Sequence, residues 1–193
     1  MESEYGKGST FTARIPQIVT DSSPFKTIEQ SKAASAFSSS FIAPDAVVLA
    51  VDDISTNLVV AKGLLTPYRI TVHTSLSGTE AVDMVKANHY DLVLMDHMMP
   101  GMDGIEATAA IREWEKAQAE AGKSRSQVPI IALTANAITG VKEMFLAQGF
   151  DDYLSKPIDI AKLNDVMEKW IPKEMRNEGL GMKIGHSILS NSL

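Results

Sequence analysis

At 193 residues with 45% hydrophobic content, the chain can bury one core of ordinary domain size with appendages around it. A formal charge of −6, a pI near 5.2 and no dense Lys/Arg stripe exclude a general nucleic-acid-binding surface, which needs a basic patch to neutralise phosphates. Zero cysteines exclude a disulfide framework and thiolate metal sites, and no stretch approaches the roughly 18 apolar residues of a membrane span, so a soluble chain in a reducing, cytoplasmic compartment is expected.

In chain order, the first compositional signature is residues 21–44, with seven serines, Pro24 near its start and Pro44 closing it. Such a serine-rich stretch predicts a tether of about 25 Å root-mean-square reach. Phe25, Ile28, Phe37, Phe41 and Ile42 are more large apolar groups than a free linker needs, so part of the segment is expected to dock on a neighbour. Residues 45–172 then alternate apolar runs with helix-period segments: AVVLAVDD, STNLVVAKGLL, RITVHTS, GTEAVDMVKAN, YDLVLMD, GIEATAAIREWEKAQAEA, VPIIALTA, VKEMFLAQ, FDDYLSKP and IAKLNDVMEKW. Five strands separated by helices, with VVLAV and LVLM continuously apolar, predict an α/β fold: a doubly wound five-stranded parallel sheet of flavodoxin-like order 2-1-3-4-5, covered on both faces.

That order places the acids. Asp52 and Asp53 end the first strand and Asp96 ends the third, and these strands flank the switch point where ligands bind in doubly wound sheets. Three converging carboxylates repel one another unless a cation joins them, and an oxygen-only set with room for water and phosphate suits Mg²⁺. Thr134 at the end of the fourth strand adds a hydroxyl, and Lys156 after the fifth adds an ammonium. A phosphoryl group on Asp96 would meet all of these, which makes Asp96 the expected phosphoryl acceptor, with Pro100, Gly101 and Gly104 turning the chain to leave it exposed. Asp53 also suits the N-cap of the first helix. His97 adjoins the acid without a third group to pair with, so no catalytic part is expected of it. Met98, Met99 and Met102 are expected to line a loop, and Trp114 and Trp170 to anchor helices.

VDD, MDHMMPGMDG, ALTANA and YLSKP, in that order, resemble the receiver domain of two-component response regulators over residues 45–172. The resemblance implies an Mg²⁺ pocket of Asp52, Asp53, Asp96 and the backbone carbonyl of Met98, and phosphorylation of Asp96. It further implies a phosphoryl contact from Lys156, a conformational switch through Thr134 and Tyr153, and a cis Lys156–Pro157 bond. The implied phosphodonor is a phosphohistidine domain, either the parent's own histidine helix or a separate phosphotransfer domain, docking near the helix that begins at Ile54. A haloacid-dehalogenase-like phosphatase, the competing aspartyl-phosphate chemistry, needs an aspartate where Met98 stands. A receiver-shaped binding module that no longer takes phosphate would lack an acid, the threonine or the lysine, and all are present.

SEYGKGSTFTARIP resembles the final hairpin of a histidine-kinase ATP-binding domain, so residues 1–20 are expected to be its C-terminal remnant. Together the two resemblances imply a piece of a hybrid sensor histidine kinase whose parent allows a membrane anchor. This chain lacks the nucleotide-binding glycine boxes and is expected to catalyse only its own aspartate phosphorylation and dephosphorylation. Residues 173–193 form the expected tail; EGLGMKIG faintly resembles the lead-in to a histidine phosphotransfer domain, and His186 is expected to be solvated.

Overall fold

The computed structural model of the protein describes residues 2–4, 8–10, 39–123, 126–135 and 141–178. The chain divides into two compact units, Met1–Gln30 and Ser31–Leu193. In the first, Glu2–Glu4 and Gly8–Thr10 pair antiparallel, with Glu2 opposite Thr10 and Glu4 opposite Gly8. The expected interaction of Phe25, Ile28 and Phe37, the Asn136 of ALTANA and the His186 tail lie outside the described residues.

The second unit contains five parallel strands: β1 (Val47–Val51), β2 (Thr71–Ser75), β3 (Leu92–Asp96), β4 (Ile130–Thr134) and β5 (Asp152–Ser155), in the order β2-β1-β3-β4-β5. Between and after them run α1 (Ser55–Leu65), α2 (Gly78–Ala87), α3 (Gly104–Glu120), α4 (Val141–Ala147) and α5 (Ile160–Trp170). This is the flavodoxin-like architecture expected from the alternation, and every strand in it lies inside its predicted run.

Alternation along the buried strands builds two cores, because successive side chains point to opposite faces. Val48, Leu92, Leu94, Ile131, Leu133 and Leu154 join Leu65 of α1 and Leu163, Val166 and Met167 of α5 on one face. On the other face, Leu49, Val51, Val93, Met95, Ile130 and Ala132 meet Val82 and Val85 of α2, Ile111 of α3 and Phe145 of α4. β3 and β4 are buried at every position, so their runs read as continuous rather than alternating apolar sequence.

Local signals set the helix starts. The Ser77 hydroxyl accepts the Glu80 N–H at the head of α2, and the Asp159 carboxylate accepts the Lys162 N–H at the head of α5. α3 opens with a capping box: Asp103 accepts the Ile105 and Glu106 N–H groups, and the Glu106 carboxylate accepts the Asp103 N–H at 3.1 Å. α1 departs from expectation. Its N-cap is Ile54 rather than Asp53, and the Ile54 N–H is taken at 2.9 Å by Asp52, whose carboxylate lies one turn back at the strand end.

The packed unit reaches past both expected edges of the repeat. Phe41, Ile42 and Ala43 are buried, the Ser39 hydroxyl donates to the Pro67 carbonyl, and Phe41–Ile42 pairs antiparallel with Asn177–Glu178. The end of the serine-rich segment therefore docks, as its apolar residues imply. Arg176 lies over the Phe41 ring, and Phe41 in turn meets Tyr68 at 5.3 Å between centroids. Among the described residues, no helix is long and apolar enough to cross a membrane.

Candidate functional site

The carboxyl ends of β1, β3, β4 and β5 bring most of the expected residues together. Oxygens of Asp52, Asp53 and Asp96 all lie within 4.8 Å of one another. Lys156, placed just after β5, spans two of them: its Nζ is 2.6 Å from Asp52 Oδ2 and 2.7 Å from Asp96 Oδ2. The backbone brings the lysine there, since its N–H donates to the Thr134 carbonyl at 2.6 Å; the following bond, Lys156–Pro157, is cis. Burial works against the ammonium, but hydrogen bonds to Asp52 and Asp96 and the attraction of both charges outweigh it, holding the Lys156 pKa above its ordinary value. The side chain stays a cation.

Asp52 is almost wholly buried, at 2% exposure, and satisfies its lone pairs with Lys156, the Ile54 N–H and the Asn57 amide at 3.0 and 3.1 Å. Asn57 was not legible as a site residue. It lies in the first turn of α1, where side chains lean back toward the helix N-terminus and so toward the end of β1, and that geometry was the available signal. Asp96 is 6% exposed rather than presented openly, and its Oδ1 takes the Met98 N–H at 3.3 Å.

The loop after β3 explains this burial. Gly101, at φ +79, makes the expected turn, whereas Gly104 permits close approach: a Cβ there would lie 2.1 Å from the Asp96 carbonyl oxygen and 2.8 Å from His97 Cα. Met99 packs into the core at 7% exposure, while Met98 stands at 69%. Thr134 is buried at the end of β4 beside this cluster. Tyr153 sits apart from the acids, on β5 opposite Ala132, half-buried against the apolar cluster that includes Phe145 and Phe150.

A cavity of about 340 Å³ adjoins the acids between α1 and the Pro157–Ile160 segment, lined by Asp52, Asn57 and Lys156 at one end and by Leu58, Ala61 and Ile158 among its apolar walls. Ile54, Val59 and Val60 of the same α1 region are exposed at 51%, 71% and 59%. The donor set is oxygen-only, compact and anionic, which fits a small hard divalent cation.

Residues 48–168 match the response regulator receiver domain family. The chain is 41% identical over 151 residues to the sensor protein GacS of Pseudomonas syringae pv. syringae, covering 75% of this chain and 16% of that protein. It is 39% identical over 125 residues to the signal transduction histidine-protein kinase BarA of Escherichia coli strain K12, covering 65% of this chain and 13% of that protein. The chain thus spans a small part of the length of these relatives. Among solved structures, the receiver domain of the sensor histidine kinase PA1611 from Pseudomonas aeruginosa PAO1, with a magnesium ion coordinated in its active-site cleft, is 36% identical at a TM-score of 0.56, covering 65% of this chain and 97% of that one. The receiver domain of Ssk1, crystallised with the histidine phosphotransfer protein Ypd1 from Saccharomyces cerevisiae, is 33% identical at a TM-score of 0.61, covering 67% of this chain and 91% of that chain. With the family match running over more than half of its length, the chain belongs to the response regulator receiver domain family and is a receiver of two-component phosphorelay signalling.

Proposed function

We propose that Asp96 accepts a phosphoryl group from a phosphohistidine and that the rest of the site is arranged around that event. The observation that carries this is the bridging of Asp52 and Asp96 by Lys156 within a three-carboxylate cluster. In the transfer, the P–N bond of the phosphohistidine breaks and a P–O bond forms to an Asp96 oxygen, while the departing imidazole keeps the electron pair. Lys156 exchanges its Asp96 contact for a phosphoryl oxygen and stays anchored on Asp52, so the positive charge is already in place when negative charge builds up. Asp52, Asp53, Asp96 and the Met98 carbonyl would hold Mg²⁺, which when bound neutralises charge on the phosphoryl oxygens. Thr134 is the proposed hydroxyl contact to the phosphoryl group and Tyr153 its partner in the conformational switch; the ladder that sets Thr134 beside Ser155 and Ala132 beside Tyr153 supports their coupling.

The phosphodonor is a phosphohistidine-bearing helical domain, the parent's own or a separate one, seated over the exposed apolar face of α1. The Ssk1 receiver, crystallised with a phosphotransfer protein, supports this, and the PA1611 receiver, with magnesium in its cleft, supports the Mg²⁺ assignment. Residues 1–20 belong, in the same proposal, to the end of a histidine-kinase ATP-binding domain, with residues 21–44 as tether, 45–172 as receiver and 173–193 as tail of a hybrid kinase; the antiparallel hairpin at Glu2–Thr10 agrees with this.

Incubation with a small phosphodonor and Mg²⁺, followed by intact mass measurement, tests the chemistry. One acid-labile phosphate is expected on the native chain and none on Asp96→Asn. Label persisting at one equivalent on the variant would place the acceptor elsewhere.

A further inference from the structure

His97, set aside at the level of sequence, has partners in the fold. Its Nδ1 lies 2.9 Å from the Leu133 carbonyl, and since a carbonyl only accepts, Nδ1 carries the proton. The backbone N–H of His97 donates to the same oxygen at 3.2 Å. Leu133 O thus receives both hydrogen bonds from one residue, and that carbonyl belongs to the peptide group joining Leu133 to Thr134. The imidazole also meets the Phe145 ring of α4 edge-on, with centroids 5.5 Å apart and planes at 81°, and Phe145 meets Phe150 in the same manner at 5.3 Å. The approach to Asp96 Oδ1, at 3.8 Å, is too long for a hydrogen bond.

We propose that His97 is a positioning residue that transmits the state of Asp96 to helix α4, through its grip on the Leu133–Thr134 peptide and its ring contact with Phe145. This rests on the reading of Asp96 as phosphoryl acceptor. A backbone displacement of Thr134 toward a phosphoryl group shifts the Leu133 carbonyl, and His97 then either follows or loses two hydrogen bonds. If the carbonyl moves, the imidazole moves, because both its ring donor and its backbone N–H, just past the end of β3, are held on that oxygen. Phe145 is 1% exposed, so the ring has no room to slip past it, and α4 takes up the displacement. The hydrogen-bonded step of this route differs from that of Tyr153, which runs across the β4–β5 ladder, although both reach the apolar cluster that holds Phe145. A sequence reading finds no partner for His97 because both are distant in the chain: Leu133 by 36 positions and Phe145 still further along, in α4.

Two substitutions divide the residue into its halves. His97→Asn keeps a donor at the position of Nδ1 and removes the ring; His97→Phe keeps a ring against Phe145 and removes the donor. Each variant and the native chain are titrated with beryllofluoride and Mg²⁺, and amide shifts are followed separately over α4 and its following turn at residues 143–150 and over β5 at 152–155. Phosphate incorporation from a small phosphodonor is read in parallel by intact mass. One phosphate on all three proteins is expected, with the β5 response of native size in both variants and the α4 response reduced to less than half in each, since linkage through one residue fails when either end is released. A purely structural role would shift both regions together or neither. A native-size α4 response in either variant overturns the proposal while leaving Asp96 as acceptor. Absence of label on the native chain overturns the reading of Asp96 and the part given to His97 with it. Should His97→Phe fail to fold, His97→Asn with Phe145→Leu as its counterpart decides between the same outcomes.

Discussion

Lys156 sets the electrostatic character of the carboxylate end, and its stability contribution has a definite pH sign. Its folded-state pKa is above the unfolded one, so the contribution is complete below the ordinary lysine value and disappears as pH rises through the elevated folded value. Urea midpoints of native chain and Lys156→Met, compared across the alkaline range, should converge as pH increases. A constant gap would mean that the ammonium adds nothing beyond packing. Lifetime of the acyl phosphate belongs to the same scale. Met98 is exposed beside Asp96 and offers an approaching water no side-chain hydrogen bond, so Met98→Asn should shorten the half-life of the phosphorylated protein. Acid-labile label followed over time in both proteins measures this, and equal decay would remove Met98 from the water's path. Both residues were readable from the sequence as strand-end chemistry. The contacts of Asn57 and His97 were not, because they depend on which helix face and which neighbouring strand the fold delivers.

Helix α3 begins where the loop after β3 ends, and the two are tied through consecutive residues. Asp103 satisfies two N–H groups of α3, and loss of such a cap costs about 1 kcal/mol, so Asp103→Ala should lower stability by that order in chemical denaturation. Gly104→Ala differs in kind. The added methyl meets the Asp96 carbonyl oxygen and the His97 backbone, so the loop must shift and overpacking of about 1–3 kcal/mol is expected, together with slower phosphate uptake. Uptake at the native rate would show that the loop gives way without disturbing Asp96. The five strands were legible because each is an apolar run bounded by turn residues, and the helices because their polar faces interrupt those runs. The pairing of Phe41–Ile42 with Asn177–Glu178 was not, since two residues on each side carry no periodicity. Docking of the linker end was still foreseeable from its large apolar side chains.

Across the whole domain, the end of the sheet where strands begin is held by charge as well as by packing. Arg112 of α3 donates to the Gly149 and Val128 carbonyls, to Glu115 at 2.7 Å and to Asp151 at 2.6 Å; Glu115 in turn accepts the Val128 N–H and Asp151 the Ile130 N–H. Removing the guanidinium strands two carboxylates in a largely enclosed setting, so Arg112→Met should destabilise the fold by about 3 kcal/mol or more, readable as a lower urea midpoint at unchanged slope. A loss within experimental scatter would show that water replaces the arginine. Asp96, the proposed phosphoacceptor, lies at the opposite end, one strand length away, about 17 Å for five residues. The antiparallel pair of Phe41–Ile42 with Asn177–Glu178 sits with the strand beginnings, next to Tyr68 and the start of β1. The two strands thus lie side by side, packed against the end of the sheet away from Asp96. Approach to Asp96 is therefore clear of the paired strands at Phe41–Ile42 and Asn177–Glu178.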